Sequence, residues 1–411
     1  GNTRREQLIR MAELAALTRP AMVQLADRWA PAFLWGVLLL AGLGFMAWQW
    51  IDPARSLWVA VAVLVVTCPC ALSLAAPAAL SAAAQGLARD GLLVRRWAAV
   101  ESLVHVDRMV FDKTGTLTMD RLVLKDVKGP EGEASRLRVL QHAASLARWS
   151  AHPAARALVE AAYGVSDQPV AGEAVRVDWR DVREEPGLGI QARDSQGQRW
   201  RLGREDWVRQ EAPGGEWGHG LAWGREGAVL AHWELEDPIR PDADSALREL
   251  SSLGVQCSLL SGDQARRVSQ VADQLNMDRA AAAQLPQSKQ QVVATLQGEG
   301  HCVAMVGDGV NDLPSLAQAQ VSFAMGQGTT AAMAQADFVV LAGGLASLPM
   351  AVRRARRTLR LIRQNLVWAV AYNLAAIPLA LTGHLPPWAA GLGMAASSLL
   401  VVVNGRRAAA A

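Results

Sequence analysis

Residues 109–118 read MVFDKTGTLT. MVF is a short apolar run of the kind that forms a strand, and Asp112 stands at its end. A carboxylate there, with Lys113 beside it and a Thr-Gly-Thr turn offering backbone donors and hydroxyls, has the make-up of a phosphate-accepting nucleophile. Two further runs end in the same way, VQCSLLSGD at 255–263 and CVAMVGDG at 302–309, with helical stretches such as RRVSQVADQL at 266–275 between them. This alternation over 89–119 and 236–352 predicts a parallel sheet with acids at the carboxyl ends of its strands, where such sheets bind ligands. Residues 120–235 depart from it. VRVDWRDV, QRWRLG, GLAWGREG and AVLAHWELED alternate polar and apolar residues, which predicts an inserted, mostly antiparallel domain.

Outside this soluble middle the chain is apolar. Of its 411 residues, 51% are hydrophobic and 19% charged, which places part of it in lipid. Uncharged runs at 29–51 and 56–88, and a tract after Arg363 split at GHLPP into 363–383 and 386–404, predict four membrane-spanning helices. Arginines 4, 5, 10, 19 and 28 precede the first run, Arg89, Arg95 and Arg96 follow the second, and RRARRTLRLIR precedes the third, whereas the loops IDPARS and GHLPP are nearly bare. That asymmetry predicts cytoplasmic termini and a cytoplasmic middle region. The polar, charged N-terminal stretch is no signal peptide. A net charge of +3 gives no footprint for nucleic acid, and four cysteines, two of them isolated, fit a reducing compartment.

The second run contains TCPCALSLAAP at 67–77. Pro69 removes an amide donor and frees an upstream carbonyl, which lipid does not tolerate unless the break faces other helices or a polar path. Thiols one residue apart are poorly placed to bridge each other, but Cys68 and Cys70 can grip a soft ion, Cu(I) foremost and Zn(II) as a competitor. Cys257 and Cys302 read as small hydrophobes of strand cores.

Taken in order, DKTGTLT, SGDQ at 261–264, Lys289 after PQS and GDGVND at 307–312 are similar to the motif series of a P-type ATPase, in its heavy-metal-transporting, copper(I)-exporting branch. The resemblance implies four transmembrane helices and a haloacid dehalogenase-like phosphorylation domain with an inserted α+β nucleotide-binding domain at 120–235. It implies catalytic roles for Asp112, Lys113, Thr114, Gly262, Asp263 and Lys289. Asp112 would take the γ-phosphate of ATP, Lys289 would neutralise its oxygens, and Asp112, Thr114, Asp308, Asn311 and Asp312 would serve Mg²⁺. SAHP at 150–153 and GLG at 187–189 resemble the nucleotide-binding signatures of the subclass, which assigns Ser150, His152, Pro153, Gly187 and Gly189 to ATP. Two positions depart from the family: Ala147 stands where relatives commonly carry a glutamate, and Ala76 where they read Thr.

For the transported ion the resemblance adds Tyr372 and Asn373, and from MAASS Met394 and Ser397, to Cys68 and Cys70. The lysine and aspartate of the zinc and cadmium branch are absent. Residues 1–28 resemble the linker leaving an actuator domain, so the chain is expected to be the C-terminal part of a pump, without the actuator that full turnover needs and without the metal-binding domains. The implied function is ATP-driven export of Cu⁺, delivered by a cytosolic chaperone, across a bacterial inner membrane. SGD in place of the usual Thr-Gly-Asp hints at copper supply to respiratory oxidase. A zinc, cadmium or silver pump, a truncated non-pumping membrane fragment and a soluble phosphatase are the alternative readings.

Overall fold

The structure is a computed structural model. It describes residues 21–68, 70–129, 132–164, 177–210, 220–277 and 279–410, without the side chains of 21–33, 70–72, 126, 127 and 133. Residues 1–20 of the linker expected at 1–28, and Pro69, lie outside the described residues. The chain forms two compact units, divided between Leu117 and Thr118 and again between Arg240 and Pro241.

The larger unit holds a seven-stranded sheet. Its order is β1 (Leu92–Val94), β13 (Phe338–Val340), β12 (Val321–Met325), β11 (Val303–Gly307), β2 (Arg108–Asp112), β9 (Gln256–Leu260) and β10 (Ala280–Ala281). All neighbours are parallel except β1 and β13. Strands β11 and β12 are buried along their whole length, which is why they read as unbroken apolar runs rather than as alternating ones. Phe111, Phe323 and Phe338 are fully buried, and the last two stack at 4.8 Å; burial of each contributes about 1.5–3 kcal/mol. Register decides where the chemistry lies. Asp112 pairs with Leu260, and Val306 with Phe111, so DKTG, SGD and GDG all leave the sheet at one edge.

The apolar helices of this unit differ in detail from the expected spans. Among the described residues, three are long and apolar enough to cross a membrane, at Leu34–Ile51, Gly344–Leu381 and Pro387–Ala409. The run 56–88 is divided into helices Pro53–Val66 and Cys70–Arg89. Asp52 starts the first by accepting from Ala54 N at 3.1 Å, with Pro53 in the first turn, where its missing N–H costs nothing. The helix expected from 363 begins at Ser347 and runs 35 residues to Leu381, because RRARRTLRLIR has no breaker and its apolar face packs inward. Arg354 on that face is 4% exposed and pairs with Asp90 at 2.5 Å.

The smaller unit is a six-stranded antiparallel sheet. The order is β3 (Val123–Lys128), β8 (Ala228–Glu236), β7 (Gly220–Arg225), β6 (Arg199–Gly203), β5 (Gly189–Arg193) and β4 (Arg180–Glu185). Helices Glu133–Ala147 and Pro153–Tyr163 complete a core built on Trp179, Trp200, Trp223 and Trp233. Trp200 and Trp223 stack at 4.9 Å, and the His142 ring sits edge-on to both.

Candidate active site

Asp112, at the end of β2, is 7% exposed. Lys289, on helix Pro286–Gly298, reaches into the same space, bonding Asp112 Oδ1 and, at 2.8 Å, Asp312 Oδ1. Asp308 completes a group whose carboxylate oxygens lie within 4.8 Å of one another. Burial drives the Asp112 carboxyl up, the charge of Asp312 pushes it further, and Lys289 only partly offsets them, leaving its pKa at about 6. For Lys289, burial acts downward but is outweighed by the charges and hydrogen bonds of Asp112 and Asp312, so its pKa is raised.

The turn after Asp112 is shaped by one glycine. Gly115 has φ +70°, and a Cβ there would collide with Asp308 Oδ2, so only glycine lets GDG close onto DKTG. Lys113 turns away from the carboxylate group and bonds Asp263 Oδ2 at 2.7 Å, which Arg267 also contacts, at 3.1 Å to Oδ1. Ser261, 2% exposed, accepts from Asp263 N at 3.1 Å and closes a local turn around Gly262. The structure thus brings together Asp112, Lys289, Asp308 and Asp312, and joins Lys113 to Asp263; Thr114 and Asn311 are exposed at the rim.

In the smaller unit, His152 precedes helix Pro153–Tyr163, and its Nδ1 accepts from Ala154 N at 3.2 Å. That bond puts the ring proton of neutral His152 on Nε2, as an outward donor. Ser150 Oγ accepts from His152 N at 3.1 Å and lies 2.6 Å from Glu184 Oε1, tying the SAHP loop to the strand before GLG. Gly187 has φ +74° with open space around it. Ala147 is buried in the core. Glu184 was not singled out from the sequence, where it is one of many charged residues on an alternating strand.

Around the Cys-Pro-Cys break two small apolar clusters fix the level of the helices. On one side Val66 packs with Ala376, Ala390 and Tyr372; on the other Ala75 packs with Ala369, Val401 and Leu366. Cys68, two residues after Val66, therefore lies near the level of the segments that carry Tyr372, Asn373, Met394 and Ser397. Tyr372 packs onto Gly393, where a Cβ would stand 2.8 Å from its hydroxyl. Ser397 is 3% exposed and accepts from Trp368 Nε1 at 3.2 Å. Ser398 Oγ is shielded and has no hydrogen-bond partner among the described residues. Cys68 is disulfide-bonded, and binding of an ion by its thiolate requires the reduced form. Cys257 and Cys302 are free and only partly buried, which corrects their placement in strand cores.

Residues 106–320, just over half the chain, match the haloacid dehalogenase-like hydrolases, and the chain belongs to that family. Within it, the relatives are P-type ATPases. The chain is 35% identical to "Cation-transporting P-type ATPase B" of Mycobacterium leprae (strain TN), over 99% of this chain and 54% of the relative. It is 36% identical to "Probable copper-exporting P-type ATPase V" of Mycobacterium tuberculosis (strain CDC 1551 / Oshkosh), over 98% and 53%. Its fold matches the crystal structure of a zinc-transporting PIB-type ATPase in the E2.Pi state, with a TM-score of 0.76 and 28% identity over 98% of this chain and 67% of that one. The chain spans about half the length of the curated relatives it matches.

Proposed function

We propose that this chain supplies the phosphorylation site, the nucleotide site and part of the ion path of an ATP-driven copper(I) exporter of a bacterial inner membrane. The observation that carries the reading is the buried Asp112 at a strand end, bridged by Lys289 to Asp312 and set against Asp308. Asp112 attacks the γ-phosphorus of ATP in line. A bond forms to its carboxylate oxygen, the bond to the ADP oxygen breaks, and the electron pair leaves with ADP. Lys289, held charged by its two carboxylates, neutralises the transferring group, and Lys113 with Asp263 holds the strand-end turn in place. His152 Nε2 and the open backbone at Gly187 receive the nucleotide, beside Gly189, which packs against Leu202 O in the sheet.

The residues fit Mg²⁺. The three carboxylates lie within 4.8 Å of one another, and all the donors are oxygen. Asp112, Asp308 and Asp312 would hold the ion, which supplies charge neutralisation to the phosphates when bound.

Copper(I) is favoured over zinc by the chemistry of the break. Cys68 and Cys70 are soft donors, Tyr372, Asn373, Met394 and Ser397 are neutral, and 56–88 and 364–405 contain no Asp, Glu, Lys or Arg. The soluble middle and both termini are proposed to be cytoplasmic, from the arginine clusters beside each span. Ser261 lends little to a role in oxidase assembly, because its hydroxyl closes a turn that threonine closes equally well.

The test is acid-stable, hydroxylamine-labile label from γ-labelled ATP in the reduced, intact protein. Label that requires Cu(I) or Ag(I), is silent toward Zn(II) and disappears in Asp112→Asn is expected. Label driven by Zn(II) makes the protein a zinc pump, and no label at all removes the proposal.

A further inference from the structure

We propose that Trp368 is a positioning residue for the transported ion, acting through Ser397; the inference rests on the ion path proposed above. Helices Ser347–Leu381 and Pro387–Arg406 meet along an antiparallel seam with contacts at successive turns. Asn365 Nδ2 donates to Val401 O at 3.1 Å, Trp368 Nε1 donates to Ser397 Oγ at 3.2 Å, and Tyr372 closes onto Gly393. The rungs advance by three and four residues on one helix and retreat by four on the other, so each lies about one turn from the next.

The rungs are not equivalent. Asn365, 2% exposed, has both ends of its amide engaged, donating to Val401 O and accepting from Asn404 Nδ2 at 2.9 Å. That rung is a saturated lock between helices. The Tyr372 rung abuts Met394, the residue after Gly393. Between them, the Trp368 ring is 47% exposed, so its packing contributes little, and what it inserts into the seam is its N–H. An indole can only donate, so it takes one lone pair of Ser397 Oγ and leaves the other, with the hydroxyl proton, unspent. A serine in an apolar helix otherwise turns back to the carbonyl one turn earlier. The Trp368 bond holds Ser397 Oγ toward the seam, where its remaining lone pair is available beside Met394. The neighbouring Ser398 Oγ has no partner among the described residues.

The experiment uses the full-length, reduced pump and follows Asp112 label against Ag(I) concentration. Trp368→Phe keeps the ring and removes the donor; the half-saturating Ag(I) is expected to rise about fivefold, the factor one ordinary hydrogen bond is worth. Trp368→His retains a ring N–H and should recover part of the shift. Ser397→Ala should shift half-saturation as Trp368→Phe does, and the double variant should be no worse than Ser397→Ala alone. Asn365→Ala should lower thermal stability without moving half-saturation. An unchanged half-saturation in Trp368→Phe, or shifts that add in the double variant, overturns the proposal and leaves Trp368 as helix packing. Label that forms in the unmodified protein without any metal removes the ion path itself, a distinct failure. Nucleotide affinity of each variant, read at the smaller unit, verifies that it has folded.

Discussion

The acidic edge of the sheet and the Cys-Pro-Cys break solve opposite problems. At the edge, three carboxylates and a lysine are crowded into a nearly dry space, and their mutual charges set the chemistry. At the break there is no charge for a dozen residues on either side, and the level of the donors is set by small apolar clusters and by neutral hydrogen bonds. The first region is held by electrostatics strong enough to shift protonation. The second is held by packing, so in the proposed ion path an ion would enter and leave without a buried charge being stranded. One region should fail through charge, the other through position.

The sharpest break in that contrast would come from Lys289→Met. Lys289, Asp112 and Asp312 are all nearly buried, so the substitution strands two carboxylates in a low-dielectric space. Removing one partner of such a buried pair costs about 3–5 kcal/mol, and losing a group that stabilises transition-state charge lowers rate by about 10²–10³. Label should fall to near background, and urea unfolding should show the destabilisation. A variant with normal stability and label would mean that charge does not govern this edge.

How far these regions were legible in the sequence follows the same division. Asp112, Lys289, Asp308 and Asp312 were singled out in the sequence and lie together in the structure, because a strand followed by an acidic turn is a local pattern and the family order links the pieces. The turn in the path of Lys113 toward Asp263 was not, because it depends on how β2 and β9 register. In the smaller unit SAHP and GLG were read as a nucleotide site, and Glu184, which bonds Ser150, was not singled out. In the apolar part the uncharged runs fall on helices, but their ends moved. RRARRTLRLIR continued the helix back to Ser347, and the second uncharged run divided into Pro53–Val66 and Cys70–Arg89, since charge marks where lipid ends rather than where a helix does. Trp368 and Asn365 were missed because a polar residue in an apolar helix declares its role only through its partner across the seam.

A smaller effect bears on where pH enters. Asp112 is raised to about 6 by burial and by Asp312, and the nucleophile must be ionised. Its folded-state value lies above the ordinary carboxylate value, so ionisation opposes folding above about pH 6, and that opposition fades as pH falls toward 4. Activity runs the other way. The rate of labelling should be half-maximal near pH 6 and drop about tenfold per unit below it. Metal half-saturation, measured on the same samples, draws on a region without carboxylates and should show no inflection assignable to one. An acid limb well below pH 5 would indicate that Asp112 is not as desolvated as its 7% exposure suggests.

The smallest expected effect is Ser261→Thr. The Ser261 hydroxyl accepts from Asp263 N, and its backbone N–H donates to Ala281 O, so the residue is fixed by a turn and by the sheet rather than by a ligand. Threonine offers the same oxygen in the same place and adds a methyl group at a site that is 2% exposed, where overpacking costs typically about 1–3 kcal/mol at most. Label rates should stay within about twofold, with a slight loss of thermal stability, and metal half-saturation should not move. A change in metal dependence from this substitution, made in a turn with no charge of its own, would mean that the sheet edge and the membrane break are coupled through the backbone of SGD, and the contrast between a charge-governed and a position-governed region would have to be redrawn around that turn.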